Sequence, residues 1–246
     1  MLNDILTVLW KEWKEILAMQ RGNARIGWIN QLLVIVIFGI FLPLQNGRGW
    51  VQSPVVLVYW VWIPLFLVTT LVADSFAGER ERHTLETLLA SRLPDQAILL
   101  GKVLAAISYA CVITWVSLLV GLIVVNVAYG AGELLLFPPA VLVVGLVLTL
   151  LGGGLSASAG VLVSLRAQTA RQAAQTMSLF TLVVVFVPIV GLQLLPQATR
   201  RELLDALSSA GPGVVLAGVL VGLALLDCVL LAIAIARFQR SRLILD

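Results

Sequence analysis

Charged residues are scarce in this chain of 246 residues: Asp, Glu, Lys and Arg make up 12% of it, whereas hydrophobic residues make up 60%. Soluble domains carry about 25% charged residues, so the composition excludes an ordinary soluble domain. The basic residues lie between apolar runs and do not form the stripe or face of a nucleic-acid-binding domain. We therefore expect an integral membrane protein whose surroundings are a lipid bilayer, with no nucleic acid as a partner.

Residues that carry chemistry are equally few. His83 is the only histidine, so the zinc-binding string H-E-x-x-H is absent. Gly101-Lys102 is the only Gly-Lys pair and no Ser or Thr follows it, so the phosphate-binding string G-x-x-x-x-G-K-[ST] is also absent. The two cysteines, Cys111 and Cys228, lie inside apolar runs and do not indicate a disulfide framework. We expect no catalytic residue, no metal ligand and no cofactor bound by this chain.

Six uncharged runs are long enough to cross a bilayer core, which needs roughly 20 apolar residues per helix. They are Ile26–Leu44, Val51–Ala73, Val103–Gly132, Leu134–Leu165, Gln172–Gln197 and Leu207–Leu226, the last continuing past Asp227 to Ala236. Of the 16 basic residues, 13 precede the first run or follow the second, fourth and sixth, and only 3 follow the first and fifth. Because basic residues accumulate in cytoplasmic loops, both termini are predicted to be cytoplasmic.

These patterns predict an all-α membrane protein of the cell (plasma or inner) membrane with six transmembrane helices. We divide it into an N-terminal amphipathic segment, residues 1–25, and a membrane domain, residues 26–246. Asp227 is the one clear ionisable residue inside a run, and such residues are costly in a bilayer. It is a candidate for a functional or a structural polar role within the membrane.

The N-terminal segment has helical periodicity. Its apolar face includes Leu9, Trp10, Trp13, Ile16 and Leu17, and its polar face includes Asp4, Lys11, Glu12, Lys14 and Glu15. Such a helix lies in the interface plane with its tryptophans at the boundary. We predict an elbow helix there. It serves either as a plain membrane anchor or to position a cytoplasmic partner, and the pattern leaves both open.

Two further features of the runs have alternative explanations. The fourth run contains Gly152-Gly153-Gly154 followed by small residues up to Gly160. Small residues favour close helix packing in membranes, whereas a local unwinding would line a translocation path. Tyr59, Trp60 and Trp62 open the second run, where aromatic rings favour the headgroup zone. The alternative is that they stack on a ligand, and we expect interface anchors.

The loop after the second run predicts a short cytoplasmic helix at about residues 78–94. Leu85, Leu88 and Leu89 form an apolar stripe at helical spacing, surrounded by charged residues. Pro94 would end this helix, since it lacks the N–H and disfavours helical conformation before it. A charged amphipathic helix between two spans is either a solvated hairpin or a helix that inserts its stripe into a groove of a partner protein.

This loop resembles the cytoplasmic loop signature of type-2 ATP-binding-cassette (ABC) permeases. The string that carries the resemblance is Gly78-Glu79-Arg80-Glu81-x-x-Thr84-Leu85-Glu86-x-Leu88-Leu89, followed by Pro94 and Gly101-Lys102. One departure is Arg82-His83, where relatives often have a residue followed by Gly. The elbow helix, the six spans and a short outer helix between the fifth and sixth spans are also similar to that family.

The resemblance implies a permease subunit of an exporter, paired with a second permease subunit, identical or similar. ATP and magnesium would be bound by separate ABC-type ATPase subunits, and the loop would be the coupling helix that docks on them. Its residues here would be Glu79, Arg80, Glu81, Thr84, Leu85, Glu86, Leu88 and Leu89. The alternatives are an ion-driven secondary transporter, which would depend on Asp227, or a non-transport membrane assembly protein.

Overall fold

The computed structural model describes residues 1–22, 24–54, 56–82 and 92–238, and the regular elements of these ranges are helices. They are α1 (Leu2–Gly22), α2 (Ala24–Val36), α3 (Leu42–Asn46), α4 (Gly49–Gln52), α5 (Val56–Ala73), α6 (Glu79–Glu81), α7 (Asp95–Tyr129), α8 (Pro139–Ser164), α9 (Ala170–Leu194), α10 (Gln197–Ala210) and α11 (Pro212–Arg237). Turns of π-helix, Ile37–Phe41 and Asp74–Gly78, join α2 to α3 and α5 to α6. The predicted all-α class is confirmed.

Four helices of the described residues are long and apolar enough to cross a membrane. They are Val56–Glu81, Asp95–Tyr129, Pro139–Ser164 and Gly213–Arg237, which coincide with the second, third, fourth and sixth predicted runs. The first run coincides with α2 and α3, within which Gln31–Asn46 is a shorter apolar helix. The fifth coincides with α9, whose first half is rich in Gln, Thr and Ser. A multi-pass membrane protein follows directly from these helices.

The helix α7 is longer than a bilayer core requires. Its 35 residues, at a rise of 1.5 Å each, span about 52 Å, whereas the hydrocarbon core is about 30 Å thick. The apolar run begins at Val103, but the helix begins already at Asp95. Part of the excess length, residues 95–102, is therefore a helical extension that carries Lys102 outside the apolar run, where α1 packs against it.

The most extensive helix contact joins α5 to α8. A Cβ atom at Gly145 would lie 1.4 Å from Cε3 of Trp60, and one at Gly160 would lie 2.9 Å from Cγ1 of Val72. Small residues thus let the two helices approach closely. The tight-packing interpretation is confirmed, and local unwinding is wrong, because α8 is an unbroken helix. Trp60 is fully buried, so its predicted role as an interface anchor is wrong.

The predicted short helix between the fifth and sixth runs is confirmed as α10, which spans Gln197–Ala210. Its location on the outer face of the membrane stays a prediction. The division into residues 1–25 and 26–246 also stays a prediction, although a helix does cover Leu2–Gly22.

Candidate functional site

The predicted coupling segment begins in the described part of the structure and continues outside it. α6 is a single turn, Glu79–Glu81, that follows the π-helical turn at the end of α5 and ends at Arg82. Five of the predicted coupling residues lie outside the described residues: Thr84, Leu85, Glu86, Leu88 and Leu89. The three charged residues of α6 lie within the described residues, and their described contacts are with different parts of the molecule.

Glu79 belongs to a buried ion-pair cluster whose centre is Lys102. The Lys102 ammonium lies 2.8 Å from Oε1 of Glu12 and 2.8 Å from Oε1 of Glu79. It also donates a hydrogen bond to the carbonyl oxygen of Ser75, at 3.0 Å, and lies 5.5 Å from the centroid of the Phe76 ring. The Lys102 side chain is 0% exposed and those of Glu12 and Glu79 are 7% and 12% exposed. One ammonium thus joins α1, α6, α7 and the π-helical turn.

Lys11 adds a second positive charge at the edge of the cluster. Its ammonium lies 3.3 Å from Glu12, 3.1 Å from Glu15 and 3.4 Å from Glu79. Burial alone would lower the pKa of Lys11, but the carboxylates of Glu12 and Glu79 outweigh it and hold the pKa above its usual range. Lys11 therefore stays protonated at physiological pH.

The three carboxylates of Glu12, Glu15 and Glu79 come within 4.8 Å of one another. The ammonium groups of Lys11 and Lys102 lie among them and offset two of the three negative charges. The pairs of Lys102 with Glu12 and Glu79 are deeply buried, and removing one partner of a buried pair costs about 3–5 kcal/mol. The arrangement is therefore a clamp between helices, with ammonium groups in the place that a metal ion would need.

Arg80 and Glu81 bind the connection between α8 and α9. The Arg80 guanidinium donates hydrogen bonds to the carbonyl oxygens of Leu165 and Ala167, at 3.2 Å. These carbonyls follow the C-terminus of α8, where a positive charge is favourable. Oε2 of Glu81 accepts a hydrogen bond from the N–H of Ala170, at 3.1 Å, at the N-terminus of α9, where a negative charge is favourable.

The turn α6 therefore carries charges of alternating sign, and each finds a complementary group. Glu79 faces the lysines of α1 and α7, Arg80 faces the end of α8, and Glu81 faces the start of α9. A further bond, from the N–H of Ala77 to Oγ of Ser164 at 2.9 Å, fixes the preceding turn against α8. The geometry can hold α1, α7, the end of α8 and the start of α9 in one arrangement.

The N-terminal helix α1 packs on α7 by a face that the sequence pattern did not predict. Val8 is buried, and a Cβ atom at Gly101 would lie 2.6 Å from its side chain. Nε1 of Trp13 donates a hydrogen bond to Oγ of Ser108, at 2.8 Å. Glu12, which the pattern assigned to the polar face, is 5% exposed. The polar-face assignment of Glu12 is therefore wrong.

The remaining predicted interface residues of α1 are divided between exposed and partly buried positions. Trp10 is 63% exposed and Leu17 is 48% exposed, with the Lys14 ammonium 5.2 Å from the Trp10 ring centroid. Leu9 and Ile16 are partly buried. Contact of the exposed edge with lipid stays a prediction.

Asp227 lies in α11 and faces α8. Its Oδ1 atom is buried and has no hydrogen-bond partner among the described residues. A Cβ atom at Gly154 would lie 2.8 Å from its Oδ2 atom, so the absence of a side chain on Gly154 makes room for the carboxylate. A structural role for Asp227 would call for a hydrogen bond to a neighbouring helix, and among the described residues Oδ1 forms none. The role of Asp227 stays a prediction.

Sequence reasoning missed Lys102 and Glu12 as the centre of the cluster. Lys102 belongs to the Gly101-Lys102 pair of the loop and appears in the sequence only as one of the loop's basic residues. Its position directly before a long uncharged run could have indicated a buried ion pair, since a lysine there must find a partner or reach water. Nothing in the sequence pattern of α1 identified Glu12 as that partner.

Residues 58–243 match the model of a protein family described as ABC-2 family transporter protein. The match covers well over half of the chain and includes α6 and Lys102, whereas Glu12 lies before it. Comparison with curated proteins gives no match.

Proposed function

Because the chain belongs to the ABC-2 family of transporter proteins, we propose that it is the six-span permease subunit of an ATP-driven exporter whose ATP is hydrolysed by separate subunits. Membership of this family makes it a membrane transport subunit and implies ABC ATPase partners. The export direction, the span count, the orientation, and the pairing with a second permease, identical or similar, are the further parts of the proposal.

The basic residues support an orientation with both termini in the cytoplasm. Lys11 and Lys102 share the cluster with Glu79, next to Arg80, which binds the end of α8. Arg166 and Arg237 line one cavity at that same end. In contrast, Arg48 binds the carbonyl oxygen of Tyr129, at the other end of α7. The positive-inside rule assigns the richer end to the cytoplasm, and six spans, with α2–α3 as the first and α9 as the fifth, return the chain to that side.

The three-way attachment of α6 is the observation that carries the coupling role. The segment that follows α6 has the apolar stripe Leu85, Leu88 and Leu89, which suits a groove on a partner protein. In the proposal, the ATPase binds this stripe with Thr84 and Glu86 around it. Glu79, Arg80 and Glu81 do not dock; they transmit the displacement to α1, α7, α8 and α9 through the bonds described above. No specific observation favours an ion-driven or an assembly role.

The test uses the ATPase that co-purifies with the tagged wild-type chain. Charge reversal in the docking segment, Glu86→Lys, is expected to reduce the amount of co-purified ATPase. The matched control is Glu133→Lys, which reverses an exposed charge at the other end of the spans and should leave the amount unchanged. Arg80→Gln should retain the ATPase and lose the effect of the permease on its ATP hydrolysis.

Two results would contradict the proposal. One is a variant that combines Leu85→Asp, Glu86→Lys and Leu88→Asp and still binds as much ATPase as the wild type, since the stripe would then not be the docking surface. The other is full transport by reconstituted vesicles that contain this chain and no ATPase.

A further inference from the structure

A cavity of about 350 Å³ lies at the same end of the helices as the Lys102 cluster. It is formed where α8 ends, α9 begins and α11 ends. Its polar lining includes Arg166, Gln172, Thr176 and Arg237, and its apolar lining includes Leu162 and Ile233. Neither the coupling contacts nor the predicted sites account for it.

The charges that the described residues place around this cavity are of one sign. Arg166 follows α8 and Arg237 is the last residue of α11, and both are exposed. Neither forms an ion pair with another described residue, and no carboxylate is among the described residues that line the cavity. Arg80 and Lys102 at the same end are satisfied by carbonyls and carboxylates. Two neighbouring guanidinium groups favour an anion with several acceptor oxygens, such as a phosphate.

An apolar groove leads away from the cavity along the spans. α9 and α11 each pack on α8 but scarcely contact each other, and both line the cavity together with the end of α8, so the space between them opens along α8. Towards the middle of α11, the residues Ile233, Val229 and Leu226 are exposed at helical spacing from Arg237. Towards the middle of α9, Leu179 and Val183 are exposed on the side of Thr176. A soluble anion would leave such an apolar groove empty, whereas the acyl chains of a lipid would fill it.

We propose that the cavity binds the headgroup phosphate of an anionic phospholipid, with its acyl chains in the groove between α9 and α11. Arg166 and Arg237 bind the phosphate oxygens, and Gln172 and Thr176 supply polar contacts to the rest of the headgroup. Basic pockets between membrane helices are suited to such headgroups. The inference does not depend on the ATPase partner or on which side of the membrane faces the cytoplasm.

The test measures lipid binding to the purified full-length chain in neutral detergent by native mass spectrometry. Phosphatidylglycerol and phosphatidylcholine with the same acyl chains are the two probes. The wild type is expected to bind phosphatidylglycerol more tightly. Arg166→Gln and Arg237→Gln should each weaken that binding about fivefold, and the double variant about 25-fold, with little change for phosphatidylcholine. The double Lys variant should keep most of the preference because it keeps both charges.

The matched control is Arg200→Gln combined with Arg201→Gln, which removes two charges from α10. An equal loss in this control would overturn the inference, since it would indicate general surface charge. An unchanged preference in the Arg166 and Arg237 double variant would overturn it as well. Complete displacement of phosphatidylglycerol by glycerol phosphate would assign the site to a soluble phosphate. Loss of co-purified ATPase with unchanged lipid binding would assign it to a protein partner.

Discussion

Replacement of Lys102 by Met tests the ion-pair cluster at its centre. The fully buried ammonium has carboxylates at 2.8 Å on two sides and a carbonyl oxygen at 3.0 Å. Met keeps an apolar stem but removes the charge. The largely buried carboxylates of Glu12 and Glu79 then lack the Lys102 ammonium beside them. Breaking a buried pair in this way costs about 3–5 kcal/mol. Lys11 remains, 3.3 Å and 3.4 Å from the same carboxylates, so we expect a cost near the lower limit, about 3 kcal/mol.

The assay is thermal unfolding of the detergent-solubilised chain. In a protein of this size each kcal/mol changes the unfolding temperature by about 2–4 °C, so Lys102→Met should unfold about 6–12 °C below the wild type. The control is Lys14→Met, which removes an exposed lysine from α1 together with its contact to Trp10. An exposed cation–π contact contributes about 0.5–1 kcal/mol, so this variant should stay close to the wild type.

A second substitution separates the loss of an ion pair from a general packing defect. Glu12→Gln, added to Lys102→Met, removes one of the stranded charges. Because replacing both partners of a buried pair is less costly than removing one, the double variant should unfold at a higher temperature than Lys102→Met alone. Additive destabilisation in this double-mutant cycle, or a Lys102→Met variant as stable as Lys14→Met, would refute the buried clamp.

Two other predictions concern helix packing and pH. Gly145→Ala places a Cβ atom 1.4 Å from the Trp60 ring, so it should lower the yield of folded chain and shift its tryptophan fluorescence. Gly218→Ala, with open space around it, is the control and should change neither. Equal yields of the two variants would contradict the packing of α5 on α8. Because the pKa of Lys11 is raised, its contribution to stability is fully present below the ordinary lysine pKa and is lost only as pH rises through the folded value. The unfolding temperatures of wild type and Lys11→Met should therefore differ by a constant amount from about pH 6 to about pH 9, and a difference that disappears within that range would contradict the raised pKa.

The sequence predicts best those spans whose apolar runs are long enough, without further residues, to cross the hydrocarbon core. The second, third, fourth and sixth runs are of this kind, and each coincides with a helix of sufficient length and apolarity. The fifth run is less clear because Gln172 and Thr176 make the start of α9 polar. These residues line the cavity beside Arg166, which accounts for their polarity at the start of the run.

Helical periodicity in a sequence does not predict which distant segments contact each other. A helical projection of α1 places Glu12 with Lys11 and Lys14 because it assumes a single apolar side. In the structure α1 also packs on the extension of α7, so a polar residue faces inward and meets Lys102. Likewise, the aromatic ring of Trp60 suits a membrane interface by type, but the gap opposite Gly145 fixes its place. Both depend on which helix is the neighbour.

The turn α6 also fixes the length of the chain that precedes it. Its three consecutive side chains alternate in sign and meet Lys102 of α7, the end of α8 and the start of α9. Because a helix rotates by about 100° per residue, deleting one residue between α5 and α6 would move Arg80 towards the ammonium groups and Glu81 towards the carbonyls that follow α8. Substitutions that keep the sign of each charge preserve the pairings, whereas this deletion would set a charge of the wrong sign against each of these two partners.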